Sequence, residues 1–464
     1  MSIDVDSMAK RNRQGILSRE LLKSILVIAI PVTLQTILFS SKGLVDLIMV
    51  GQLSETDIAA AGVASRALFV ATILLSGVMT GGAVLTAQYF GAKQPKSITR
   101  SIALTWLMTT LAATIPLLLF WGAGNHVVGL SSRSPEVMIL GHEYLKITAL
   151  SLFFIAFTGS VSAGLRSIHQ AAVSTWFSAI GIALNMLLNW VLIFGMLGAP
   201  ALGLKGAAIA TLISCGVEML LMLIYLRYKQ HLLNFGLQDI IQACQFSHIS
   251  RFAKLSIPTT INFLTWAAGL FCYTAIMGQT GDQGLVALSV ITPIEAFSLS
   301  FLVGIANASA VIVGNQLGEK NAYSAYQHAI AFTFIAVAVT IIVAICLWLL
   351  KDQVLGLFSV LTPETRALAD KFYLILCLGI ILRSLPTTMV VGVLRAGGDV
   401  KFCLYQDLMT QWLFGIPLAA LGALFFGFEP EVVFAMFFLE TLFKWFLCVY
   451  RFRSKKWINF LTKE

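Results

Sequence analysis

Charge is what this sequence has least of. Of 464 residues, 11% are Asp, Glu, Lys or Arg, against about 25% in ordinary soluble domains, while 58% are hydrophobic and the mean hydropathy is +0.87. So little polar surface cannot cover a large core in water, which excludes a water-soluble enzyme. Close cysteine pairs are also missing: the seven, Cys215, Cys244, Cys272, Cys346, Cys377, Cys403 and Cys448, stand apart, most of them in apolar runs. Neither a disulfide framework nor a zinc site follows. No G-x-x-x-x-G-K-[ST] phosphate loop occurs, so nucleotide hydrolysis by that route is excluded. His142-Glu143 opens like a zinc-protease motif, but Lys146 stands where the second His should be. The first 22 residues are polar and mixed in charge, and no short apolar segment ends in an Ala-x-Ala site. No cleaved signal peptide is expected, and the first apolar helix itself directs insertion.

What the chain has in excess is long apolar helix. With Gly, Pro and charge clusters as breaks, helices are predicted at 22–49, 58–86, 99–123, 138–162, 170–195, 205–228, 252–277, 284–313, 326–350, 367–393, 402–425 and 430–451. A span needs roughly 20 apolar residues. The fold class is therefore an all-α integral membrane protein with twelve transmembrane helices in two pseudo-symmetric six-helix bundles. The expected parts are an N-terminal segment 1–21, a lobe 22–228, a linker 229–250, a second lobe 251–451 and a basic tail 452–464.

The formal charge of +9 is placed in a way that argues for a membrane, not for nucleic acid. Basic residues gather in alternate connections: Lys10, Arg11, Arg13, Arg19 and Lys23; Lys93, Lys96 and Arg100; Arg227, Lys229, Arg251 and Lys254; Arg451, Arg453, Lys455 and Lys456. The connections around Gly51, Gly278 and Phe426 have none. Because Lys and Arg mark the cytoplasmic side, both termini and the linker are expected there, in a plasma membrane.

An internal repeat supports the two lobes. A shift of 227 carries Pro31, Thr33, Gly51, Gln52, Gly77, Gly91, Lys93 and Ser97 onto Pro258, Thr260, Gly278, Gln279, Gly304, Gly318, Lys320 and Ser324 without a gap. Leu165-Arg166 answers Leu394-Arg395 after a shift of 229. Six helices per half give both repeats one orientation, an arrangement known among transporters that hold substrate between halves. The plainer reading is that duplication built a larger bundle. A two-lobe chain contains a complete pathway and is expected to work as a monomer.

Where the repeat breaks its symmetry, candidate functional residues appear. Asp46, inside the first helix, answers to Tyr273. An ionisable group at such depth costs at least about 2.5 kcal/mol and normally faces a bundle interior or wet cavity; the alternative is an acid reaching water at the helix end. Lys42, four residues earlier, shares its face. It either turns away, or opens and closes on Asp46 during a cycle, or pairs permanently and makes the acid structural. Glu295 in the eighth helix answers to Leu68, and Arg66 in the second helix is its expected cation partner; the alternative is burial beside a cation for structural reasons alone. Asn185 and Asn189 share one face of the fifth helix, where amides either coordinate a cation or cross-link helices. Gln35, Thr36, Ser40 and Ser41 are polar positions suited to the same space. Asp407 suits a helix start and Glu440 with Lys444 forms an i,i+4 pair; both read as structural or gating contacts.

Ile30-Pro31, Gly43-Leu44-Val45-Asp46 with Gly51-Gln52-Leu53, Ala87-Gln88-Tyr89-Phe90-Gly91, Leu165-Arg166, Asn185-Met186-Leu187-Leu188-Asn189, Gly206-Ala207-Ala208-Ile209-Ala210-Thr211 and Gly314-Asn315-Gln316-Leu317-Gly318 occur in this order. Together they resemble the multidrug and toxic compound extrusion (MATE) family over essentially the whole chain. The resemblance implies two six-helix lobes in a V shape, and export of amphipathic, cationic organic compounds in exchange for H⁺ or Na⁺ by alternating access. It implies no cofactor and a bacterial inner membrane. In one branch the first-lobe coupling residues match Asp46, Asn185 and Thr211, but the second acid frequent on the fifth helix is here Asn189. A second branch places acids on the seventh and tenth helices, where this chain has Trp266 and Ser384. Glu295 then takes the second-lobe role, with Lys42, Arg66, Gln35 and Trp266 as further substrate or coupling positions. Few carboxylates favour H⁺ over Na⁺, since a hard cation prefers several charged or carbonyl oxygens. Two rivals stay open: a flippase for lipid-linked saccharides, which needs a more basic cleft than Lys42, Arg66 and Arg383 supply, and an intramembrane lipid-modifying enzyme, for which no catalytic spacing is found.

Overall fold

A computed structural model describes residues 19–129, 134–356 and 362–462. The expected N-terminal segment 1–21 falls almost wholly outside the described residues. Twelve helices are long and apolar enough to cross a membrane, and no strand occurs among the described residues. They are α1 (Arg19–Val50), α2 (Glu55–Gly91), α3 (Pro95–Gly129), α4 (Pro135–Ser167), α5 (Ala171–Phe194) and α6 (Gly203–Tyr228). After a short helix at Leu237–Ala243 follow α7 (Phe246–Gly278), α8 (Asp282–Gly318) and α9 (Ala322–Leu349). The last three are α10 (Pro363–Leu394), α11 (Val400–Phe425) and α12 (Pro430–Arg453).

Most of the helices run past the ends predicted from sequence. Pro31, Pro116, Pro258 and Pro293 all lie inside helices. In apolar surroundings the backbone groups freed by proline find partners in neighbouring helices and hydroxyl side chains, so proline does not end a span as it does in water. Polar caps mark true starts: the Asn321 side chain accepts from Ser324 N–H at 3.0 Å before α9, and Thr362 precedes Pro363 at the start of α10. Helices α10 and α11 are less regular. α10 turns π-helical over Thr388–Leu394, just beyond Pro386, and α11 does so over Leu408–Gly415 and Leu421–Phe425.

The repeat extends to individual backbone hydrogen bonds. Gln52 N–H donates to Met49 O at 3.2 Å, and Gln279 N–H to Ile276 O at 3.1 Å. Gln94 N–H donates to Tyr89 O at 3.0 Å and Asn321 N–H to Gln316 O at 2.9 Å; both turns hold a lysine in the left-handed region, Lys93 at φ 55° and Lys320 at φ 59°. After the shift of 229, Gln170 N–H to Leu165 O at 2.8 Å matches Asp399 N–H to Leu394 O at 3.0 Å. The same left-handed turn is made by His169 at φ 63° in one copy and Gly398 at φ 76° in the other.

Contacts group the chain into two units that do not follow the linear division at 229–250. One contains Leu34–Phe90 and Gln94–Phe263; the other contains the chain up to Thr33, Gly91–Lys93 and everything from Leu264. The first half of α7 thus belongs with α2–α6, and the first half of α1 with α8–α12. Two repeat-related glycines account for this. A Cβ on Gly77 of α2 would lie 2.4 Å from the Thr260 Cα of α7, and a Cβ on Gly304 of α8 would lie 2.0 Å from Thr33 Oγ1 and 2.9 Å from the Ala29 carbonyl oxygen of α1. Only glycine permits either approach. The first unit is packed around Leu75, Phe120, Leu145 and Leu152, the second around Phe372, Tyr373, Phe434 and Leu376.

Candidate functional site

Asp46 lies on the part of α1 that belongs with α2–α6, one turn before the helix ends at Val50. Its Oδ1 accepts a hydrogen bond from Asn189 Nδ2 of α5 at 2.5 Å. One turn away on α5, Asn185 Nδ2 donates to Thr211 Oγ1 of α6 at 3.4 Å. The two asparagines are 0% and 1% exposed, and the carbonyl oxygen of each, Asn185 Oδ1 and Asn189 Oδ1, is buried with no hydrogen-bond partner. Buried acceptors are normally satisfied. Two orphan amide oxygens, a carboxylate and a hydroxyl on three neighbouring helices make a place where a small cation gains oxygen partners. Tyr144 of α4 and Lys42 of α1 lie within electrostatic reach of Asp46, but no ion pair to it forms among the described residues.

Further along the same unit runs a second polar chain. Gln35 Nε2 donates to Ser178 Oγ at 2.9 Å, and Ser178 Oγ donates to Glu218 Oε1 at 2.9 Å. Glu218 was not among the residues singled out from sequence, although Cys215-Gly216-Val217-Glu218-Met219-Leu220-Leu221 carries the same signal as Asp46: one acid in an apolar run. Gln35 thus belongs to the inner polar system, not to the Asp46 cluster.

The other unit holds Glu295, paired with Arg383 of α10. The expected partner, Arg66, is instead an exposed side chain of α2, while the Arg383 guanidinium also sits 4.7 Å over the Phe438 ring. Both members of the pair come from one helical unit, on two helices and 88 residues apart in sequence. Trp266 is 40% exposed, and Ser384 Oγ donates to its own helix at Ile381 O, 2.6 Å away.

Tyr273, the repeat counterpart of Asp46, enters a different network. Its hydroxyl donates to Glu440 Oε2 at 2.5 Å, and Lys444 Nζ lies 3.1 Å from Glu440 Oε1 and 3.1 Å from Asp407 Oδ1. All three charged groups are nearly buried. Asp407 therefore serves a buried ion network in addition to its place near a helix start, and the Glu440–Lys444 pair extends to two further helices.

The MatE family profile matches residues 31–191 and 258–421, two segments whose starts are 227 residues apart, as in the repeat. Among curated relatives, the uncharacterized transporter YisQ of Bacillus subtilis is 26% identical over 92% of this chain and 93% of its own length. The multidrug resistance protein NorM of Vibrio vulnificus is 25% identical over 85% of this chain and 86% of its own. Among solved structures, a MOP superfamily transporter from Pyrococcus furiosus superposes with a TM-score of 0.85 at 18% identity, covering 96% of this chain and 100% of that one. The MATE transporter VcmN of Vibrio cholerae gives 0.84 at 18% identity, covering 94% and 98%. At such identities the structures establish the fold alone.

Proposed function

This chain belongs to the MATE family of membrane transporters, and on that premise we propose that it is a secondary-active exporter of amphipathic, cationic organic compounds, driven by H⁺ through Asp46. It is a multi-pass membrane protein and a transporter, not an enzyme. The observation that carries the reading is the Asp46–Asn189 contact, in which a single carboxylate inside the first spanning helix ties α1 to α5. NorM relatives, named for multidrug resistance, support export of drug-like compounds.

The coupling works by charge. Ionised Asp46 accepts from Asn189 and fixes α5 against α1; a cation arriving at the carboxylate neutralises it and weakens that tie, because hydrogen bonds to a charged acceptor are about twice as strong as neutral ones. Na⁺ would draw in Asn185 Oδ1, Asn189 Oδ1 and Thr211 Oγ1 as ligands, whereas a proton needs the carboxylate alone. With one carboxylate in direct contact, the proton is the better fit. Exchange of one proton for a monovalent organic cation moves no net charge, so a pH difference of one unit sustains about a tenfold concentration ratio. Ethidium uptake by proteoliposomes under a pH gradient at equal Na⁺, and then under a Na⁺ gradient at equal pH, tests the reading. Uptake under the pH gradient alone supports it, uptake under Na⁺ alone reassigns the ion, and no uptake under either refutes export.

A further inference from the structure

Among the acids of the unit that holds Asp46 is Glu218, and Lys42 lies within electrostatic reach of both. Glu218 of α6 is held by Ser178 and, through it, by Gln35, whose side chain is 6% exposed. The space beside its free oxygen is kept by a glycine: a Cβ on Gly181 of α5 would lie 2.9 Å from Glu218 Oε2. Among the described residues neither Asp46 nor Glu218 has a cation within ion-pair distance. The charged group that acts on both is Lys42, which lies between Gln35 and Asp46 on α1 and is within electrostatic reach of each acid. Cys215, one turn before Glu218, feels all three.

Lys444 in the other unit shows what a satisfied lysine looks like. It lies 3.1 Å from each of two carboxylates, one of which is further held by a tyrosine hydroxyl. Lys42 touches neither of its acids. The first system is open where the second is locked. With one positive and two negative groups its charge is −1, so one monovalent cation brings it to neutrality. The buried, unpartnered Asn185 Oδ1 and Asn189 Oδ1 mark the end at which such a cation is received.

Resting on the export reading above, we propose that Glu218 is the second ion-carrying carboxylate of this unit, and that Asp46 and Glu218 compete for Lys42, the coupling cation occupying whichever acid the lysine leaves. Along α6, Glu218 lies seven residues, about 10 Å, beyond Thr211 toward the linker end. A swing of Lys42 from one acid to the other therefore moves the cation's place along the helix axis. This also resolves the conflict between Lys42 as a permanent partner and Asp46 as a carrier.

Charge arithmetic gives the test. Wild type, Glu218→Gln, Lys42→Met and the Lys42→Met/Glu218→Gln double variant are reconstituted, and ethidium uptake under a pH or a Na⁺ gradient is measured together with cations exchanged per dye. Glu218→Gln retains an oxygen that accepts from Ser178, so it removes charge and not the hydrogen bond. Its system is neutral without a coupling ion, and gradient-driven uptake falls at least tenfold. Removing Lys42 as well restores the charge of −1, and uptake returns to within about threefold of wild type. Lys42→Met alone exchanges two cations per dye in place of one. Wild-type uptake by Glu218→Gln, or a monodisperse double variant as inactive as the single, overturns the proposal.

If wild type itself moves no dye, export fails and the carboxylates are read directly by infrared difference spectra of the purified protein on a pH step from 8 to 5. The proposal expects one protonated-carboxyl band that disappears in Asp46→Asn and in Glu218→Gln alike. A band untouched by Glu218→Gln overturns it.

Discussion

Asn189 of α5 gives an amide hydrogen to Asp46 Oδ1 at 2.5 Å and keeps its own Oδ1 buried without a partner. One residue thus steadies the ionised acid and offers an oxygen to whatever neutralises it. Replacing Asn189 by Leu removes both functions while keeping the volume similar. A hydrogen bond to a charged group is worth about 1.5–3 kcal/mol, so gradient-driven dye uptake by Asn189→Leu should fall roughly tenfold or more with expression unchanged. Uptake equal to wild type would show that Asp46 does not need this amide.

The two glycines that bring half-helices together respond differently to alanine. At Gly304 the closest obstacle is a side-chain atom, Thr33 Oγ1, while at Gly77 it is backbone, Thr260 Cα. Overpacking of this kind costs about 1–3 kcal/mol. Both Gly304→Ala and Gly77→Ala should lower the melting temperature in detergent. Adding Thr33→Ala should recover part of the loss at Gly304, whereas Thr260→Ala should recover little at Gly77. Equal rescue at both sites would contradict the geometry.

Lys444 contacts both Asp407 and Glu440 in a nearly buried network. Lys444→Met removes the one group that contacts both carboxylates, and breaking a buried pair costs about 3–5 kcal/mol. We expect poor yield and early melting, with Lys444→Met/Glu440→Gln markedly better than the single variant. If the single variant melts like wild type, the network is not structural.

Outside the membrane, acid should weaken the fold through two histidines. Burial lowers the proton affinity of His231, whose Nδ1 accepts from Leu233 N–H at 3.2 Å while Nε2 meets Gln170 Oε1 at 2.8 Å, and it lowers that of His169 as well. The unfolded chain binds these protons near pH 6.5 and the folded one only at lower pH. Their contribution is thus complete above about pH 6.5 and lost as pH falls through the folded values. His231→Asn, which keeps an acceptor beside Leu233, should flatten melting temperature against pH between 7 and 5. A slope identical to wild type would remove His231 from the account.

Helix number and the repeat were legible because both rest on local signals: apolar length, and residues such as Lys93 and Lys320 that make the same turn twice. The division of α1 at Thr33 and α7 at Phe263 was not legible, since it depends on which helix Gly77 and Gly304 meet. Asp46, Asn185, Asn189 and Thr211 stand in two hydrogen-bonded pairs one turn of α5 apart, a juxtaposition that the i,i+4 spacing of the two asparagines foreshadows. Arg383 was passed over for Arg66 because helix rotation is set by packing. Glu218 was missed despite a signal as plain as that of Asp46; only its contact with Ser178 draws attention to it.

The central claim is that Asp46 couples the ion gradient to export. Dye uptake by proteoliposomes containing wild type or Asp46→Asn, under imposed pH and Na⁺ gradients in turn, addresses it most directly. The account predicts uptake by wild type under the pH gradient and none above the empty-liposome level by Asp46→Asn. Uptake by Asp46→Asn at the wild-type rate would contradict it and leave the acid a structural partner of Asn189.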